Sequence, residues 1–222
     1  MADAIRVMIE LGRKKAVAVA SAFDWPGWNR SGKSEEDALQ VLAAYRPRYA
    51  KVAELAGLAG EFREARKMAV VERLEGTGMT DFYGLSARSA GPEHEPMSDA
   101  ACDRKIALLR ASWTYFDDVA SRVSPELRKG PRGGGRDRDK IVRHVSESDW
   151  YYAREMGLRD EQPDPTDRAA VMGLRAAMLE VLGRPSDGSP LAGRKWPARY
   201  AAARIAWHAL DHAWEIEDRT DA

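Results

Sequence analysis

The chain has a single cysteine, Cys102, so no disulfide can form within it, and a redox or metal role needs other ligands. Histidine is nearly as scarce, with four in 222 residues. No charge of either sign predominates: 35 Lys and Arg face 35 Asp and Glu. Without a net positive field, nucleic acid is not an expected partner. No uninterrupted apolar run approaches the ~20 residues of a membrane span, and the first thirty residues lack a charged-then-apolar leader pattern. The expected compartment is therefore the cytosol, with no membrane partner. What remains is 44% hydrophobic and 32% charged. That composition suits a folded chain of one large domain or two small ones.

The fold class expected is α+β, a small ββα-type module followed by four helices. In residues 1–75, Ile5, Val7 and Ile9 alternate with Arg6, Met8 and Glu10, the period-two mark of a half-buried strand. A turn at Gly12-Arg13-Lys14 leads into the apolar run 16–20, which can return as the hairpin partner. Asp24-Trp25-Pro26-Gly27-Trp28 is turn chemistry, with the two tryptophans capping the core or presenting a surface. Ser34 opens a helix that Pro47 kinks or ends, and Met68 to Leu74 reads as another short strand. Residues 76–98, rich in Gly, Ser, Pro and Thr, are expected to connect the modules without helix or strand.

From residue 99 to 222 the period becomes helical. Ile106, Leu109, Trp113, Phe116, Ala120 and Val123 form a stripe. A second helix over about 136–156 places Ile141, His144, Ser148 and Tyr151 on one face. Asp164-Pro165 starts a third, with Val171, Leu174, Met178 and Val181, and Pro197 opens a fourth reaching about Arg219. Four amphipathic helices read as a bundle.

His208 and His212 stand four apart, on one face of the last helix, and can point at one ion. His144 occupies the apolar face of the second helix, where a buried imidazole needs a partner. Paired histidines also serve as hydrogen-bonded core groups, and spacing alone leaves both readings open. His94, between two prolines, is a loop histidine.

The C-terminal half resembles the DinB/YfiT-like family of four-helix metal-binding proteins. The resemblance rests on Val142-Arg143-His144-Val145 with Asp149-Trp150-Tyr151-Tyr152, and on Ile205-Ala206-Trp207-His208-Ala209-Leu210-Asp211-His212. It implies a divalent metal held by His144, His208 and His212, with zinc or nickel first and iron or manganese as alternatives. It also implies metal-dependent hydrolysis, or use of a low-molecular-weight thiol such as mycothiol or bacillithiol, on an unknown small-molecule substrate. The N-terminal module is similar to HicB-like domains over Phe23-Asp24-Trp25-Pro26-Gly27-Trp28, Gly32 and Ser34-Glu35-Glu36-Asp37-Ala38-Leu39. That implies a strand pair on a helix and says little of activity.

Around such a site, Glu215 lies three residues past His212 and can act as base or orient a ligand. Tyr151 can hydrogen-bond a developing oxyanion. Asp211 and Glu147 are further neighbours, while Cys102, at a helix start, defaults to a structural thiol. The run Arg128, Lys129, Arg132, Arg136, Arg138, Lys140 can bind an anion or simply be solvated. Two function classes stay open. One is a metal-dependent enzyme, with the N-terminal module as cover or homodimer contact. The other is a non-catalytic binding or assembly protein using a HicB-like surface, the histidines being structural.

Overall fold

The alternation of Ile5, Val7 and Ile9 becomes strand β1 (Ile5–Leu11) in the computed structural model, which describes residues 4–130 and 134–220. β1 pairs antiparallel with β2 (Ala18–Ala22), and β2 antiparallel with β3 (Asn29–Gly32). Helices α1 (Glu35–Ala44), α2 (Arg46–Leu55) and α3 (Ala59–Glu64) then cross over to β4 (Met68–Glu75), which pairs parallel with β1. The sheet order is β3-β2-β1-β4. The α+β class is therefore correct, but the first third is larger than a ββα unit: β3 and α3 are too short to announce themselves by periodicity, and α2 follows α1 directly across the Pro47 kink.

Ser34 caps α1 as expected, accepting from the Asp37 amide at 3.1 Å. Pro47 falls in the first turn of α2, where its missing N–H costs nothing, and the chain bends at Tyr45. The expectation of a half-buried β1 fails. Met8 and Glu10 are as buried as Ile5, Val7 and Ile9. The cause is the connection, which was expected to lack regular structure. Thr77 caps a short helix α4 (Gly78–Tyr83), and the chain after it covers the second face of the sheet. The Glu10 carboxylate accepts from the hydroxyls of Thr80 and Ser86 and the amides of Ala87 and Arg88. Those donors make its burial tolerable.

Four long helices follow: α5 (Asp99–Arg122), α6 (Arg138–Glu155), α7 (Arg168–Leu182) and α8 (Ala198–Arg219). α8 packs on α5 and α6, and α7 on α6 and α5. The N-cap of α7 is Asp167, not Asp164; Asp164 instead closes a turn onto Thr166. Among the described residues no helix is long and apolar enough to cross a membrane.

One buried cluster runs through both parts, from Ile5 to Ile216. Trp25 and Trp28 belong to it, packed with Tyr49 and Phe62 and each at most 1% exposed. The Trp28 indole donates to the Leu42 carbonyl at 2.9 Å. Gly27 between them has φ +89, and a Cβ there would stand 2.9 Å from the Ala206 carbonyl carbon. That glycine lets the turn lie directly on α8.

Candidate metal centre

His208 and His212 project from α8 and His144 from α6, and one ligand nitrogen from each lies within 4.8 Å of the others. The His144 and His208 Nε2 atoms are 3.2 Å apart. Two nitrogens bound to one tetrahedral ion at roughly 2.0–2.1 Å stand about 3.3–3.4 Å apart, so this separation suits a shared ion. The rings meet nearly edge to face, with centroids 4.7–5.0 Å apart.

The His212 Nδ1 stands 2.8 Å from Glu215 Oε2, and Arg219 donates to Glu215 Oε1 at 2.6 Å. An ionised Glu215 accepts from Nδ1 and so orients the His212 ring. The hydrogen bond to His212, with Arg219 behind it, holds the Glu215 carboxyl below its usual range. Burial, helped by His212 and Arg136, pushes His144 down to about 4. Burial also drives His208 well below its ordinary value, with His212 and His144 adding to it. Burial thus favours the neutral form of His144 and His208, the form in which imidazole can ligate a metal.

The other His208 nitrogen, Nδ1, is buried with no hydrogen-bond partner among the described residues. Three neutral nitrogens leave an ion's charge uncompensated and a position open, the donor set of reactive sites rather than closed ones.

The other expected residues divide. Glu215 joins the site with both carboxylate oxygens engaged, which suits orienting His212 better than taking a proton. Tyr151 does not join it. It is 62% exposed and meets Trp150 edge to face. The buried arc of α6 is Ile141, Val145, Ser146, Asp149 and Ala153, and at 100° per residue His144 and Tyr151 both fall outside it, about 20° apart. Tyr151 is separated from the cluster by its place two turns, ~10 Å, further along α6. Tyr152 approaches His208 instead, ring centroids 5.7 Å apart. Its position inside the arc defined by Ile141 and Val145 was the signal that could have found it.

Asp211 is committed to Arg30 of β3 at 3.0 Å, tying the sheet to α8. Glu147 is half-buried on α6. Cys102 is buried, its Sγ 3.5 Å from the Arg184 carbonyl. His94 is exposed and meets Ser89 Oγ at 3.0 Å. Of the basic run, Lys129 pairs with Asp137, Arg138 with Asp139, and Arg128 donates to the Asp218 carbonyl. Arg132 lies outside the described residues. Arg136 is the member whose charge reaches the histidines.

No protein-family model matches this chain, and neither does any curated protein or solved structure.

Proposed function

We propose that the protein is a metal-dependent enzyme in which His144, His208 and His212 hold a divalent ion, zinc or nickel before iron or manganese. The observation that carries this reading is the convergence of three imidazoles from two helices, with ligand nitrogens within 4.8 Å of one another. A bound ion would bring a water toward a pKa of about 7, or hold a low-molecular-weight thiol as thiolate. Glu215 fixes the ring of His212 through Nδ1, and Arg219 fixes Glu215. Tyr152, Trp207 and Arg204 surround His208 and shape the approach, Arg204 lying over Trp207 at 4.6 Å. The helices α5–α8 would then be a DinB/YfiT-like bundle, and the sheet with its helices a HicB-like cover. The reaction class proposed is hydrolysis or thiol transfer on a small molecule.

Elemental analysis of protein purified without a histidine tag tests this, beside a His144→Ala/His208→Ala/His212→Ala variant. The expected result is near-stoichiometric metal in the parent, none in the variant, and helical circular dichroism in both. A metal-free parent, even after incubation with zinc and nickel, would return the histidines to the role of buried polar contacts. The protein would then read as a binding or assembly module.

A further inference from the structure

A second site lies away from the histidines. The start of β1, the Phe23–Pro26 turn, α3 and the first turns of α5 and α8 enclose a cavity of about 620 Å³. Arg199 on its wall precedes His208 by nine residues, or ~13 Å along α8. The two sites are distinct.

Four cations line this cavity: Arg6, Arg104, Lys105 and Arg199. Two are neutralised within the protein. Arg6 pairs with Asp24 at 2.9 Å and Arg104 with Glu61 at 2.7 Å. The other two have no carboxylate within 4 Å among the described residues. Lys105 is 5% exposed, and its ammonium meets only the Met97 sulfur at 3.4 Å, a weak acceptor. Arg199 donates to the neutral carbonyls of Glu95 and Pro96 at 3.3 and 3.0 Å. Burial accordingly pushes Lys105 down to about 8, with Arg199 adding to the shift; half-buried Arg199 is also pushed down by burial, against the carboxylates of Glu95 and Asp24. A buried cation without a counter-ion is costly and is relieved when an anion arrives.

The lining also fixes the kind of anion. Ile5, Phe23, Pro26, Ala65 and Ala101 give an apolar wall, and exposed Glu64 sits at the rim. A compact dianion would leave that wall unused and face Glu64. A monoanion with an apolar body uses both halves.

We propose that this cavity binds a small organic acid, its carboxylate between Lys105 and Arg199 and its apolar body against Ile5, Phe23 and Pro26. Lys105 is the group most changed by occupancy, since the carboxylate supplies the counter-charge it lacks. Nothing in this site depends on the histidine cluster.

The test is an NMR titration of the full chain with benzoate and hexanoate, against neutral benzamide and inorganic phosphate. Saturable shifts with a carboxylate, centred on Trp25 and Ala101 and missing with benzamide, are expected. Lys105→Met and Arg199→Gln should each weaken carboxylate binding at least about tenfold. Lys105→Met removes an uncompensated buried charge at nearly constant shape, so it should fold. Arg199→Gln keeps a donor for the Pro96 carbonyl and carries the test if the first variant does not fold. Silence from both carboxylates would overturn the proposal. Equal binding of benzamide, binding of phosphate alone, or full carboxylate affinity in a folded variant would do so too.

Discussion

Helix α6 carries two polar clusters on neighbouring turns, and they are built in opposite ways. Around Asp149 every group has a partner. The carboxylate accepts from Arg175 at 3.0 Å and from the Trp113 indole at 3.4 Å, and Arg175 reaches on to Asp117 at 3.1 Å. Around His144 the rings face one another, and a buried nitrogen of His208 is left over. The first cluster is closed: charge meets counter-charge across α5, α6 and α7, and no capacity remains for a ligand. The second brings three ring nitrogens within 4.8 Å of one another. Burial of polar groups is common to both; the state of satisfaction separates them.

The largest expected effect breaks the closed cluster. Arg175→Ala leaves Asp149 buried and uncompensated, and should cost about 3–5 kcal/mol in urea unfolding. Replacing the pair together, Asp149→Leu with Arg175→Met, should recover most of that loss. A single variant costing under about 1 kcal/mol would show that the cluster is no brace.

Glu93 sharpens the comparison with a carboxyl that has no counter-ion within 4 Å among the described residues. It is buried and accepts one amide, from Ala90 at 2.9 Å. Burial pushes it up to about 8 from an ordinary 4.5. Between those values the native state holds a proton that the unfolded chain has released. Stability should therefore fall as pH rises through that window, at no more than about 1.4 kcal/mol per pH unit from this group. Glu93→Gln has nothing to titrate and should flatten that part of the profile. An unchanged slope between pH 5 and 8 in the variant would remove Glu93 as its source.

The smallest effect is expected at Tyr151. Exposed and outside both clusters, it should tolerate alanine within about 0.5 kcal/mol and leave metal content unchanged. Metal loss in Tyr151→Ala would mean that the face of α6 turned toward α8 has been misjudged.

Much of the fold was legible where a pattern was long. The stripe from Ile106 to Phe116 gave α5, and Val171 to Met178 gave α7, because helices of several turns repeat their apolar positions often enough to be seen. Four-residue β3 and six-residue α4 carry too few positions to show any period. Asp164 has the sequence mark of a cap, a proline after it, yet Asp167 has the helix behind it. Tyr151 and Tyr152 are adjacent, and choosing between them required the centre of the buried arc, which a half-buried histidine outside it obscured.

The sequence by itself determined the i, i+4 pairing of His208 and His212, since helical geometry places such residues on one face wherever the helix goes. It also determined the period change near residue 99 and the cap at Ser34, both of which are local. The meeting of His144 with that pair was decided only by the packing of α6 on α8. So were the burial of Glu10 under the connection and the pairing of Lys105 with Arg199 in one cavity. Each of these joins residues distant in sequence, and no local propensity encodes which faces of separate elements will be pressed together.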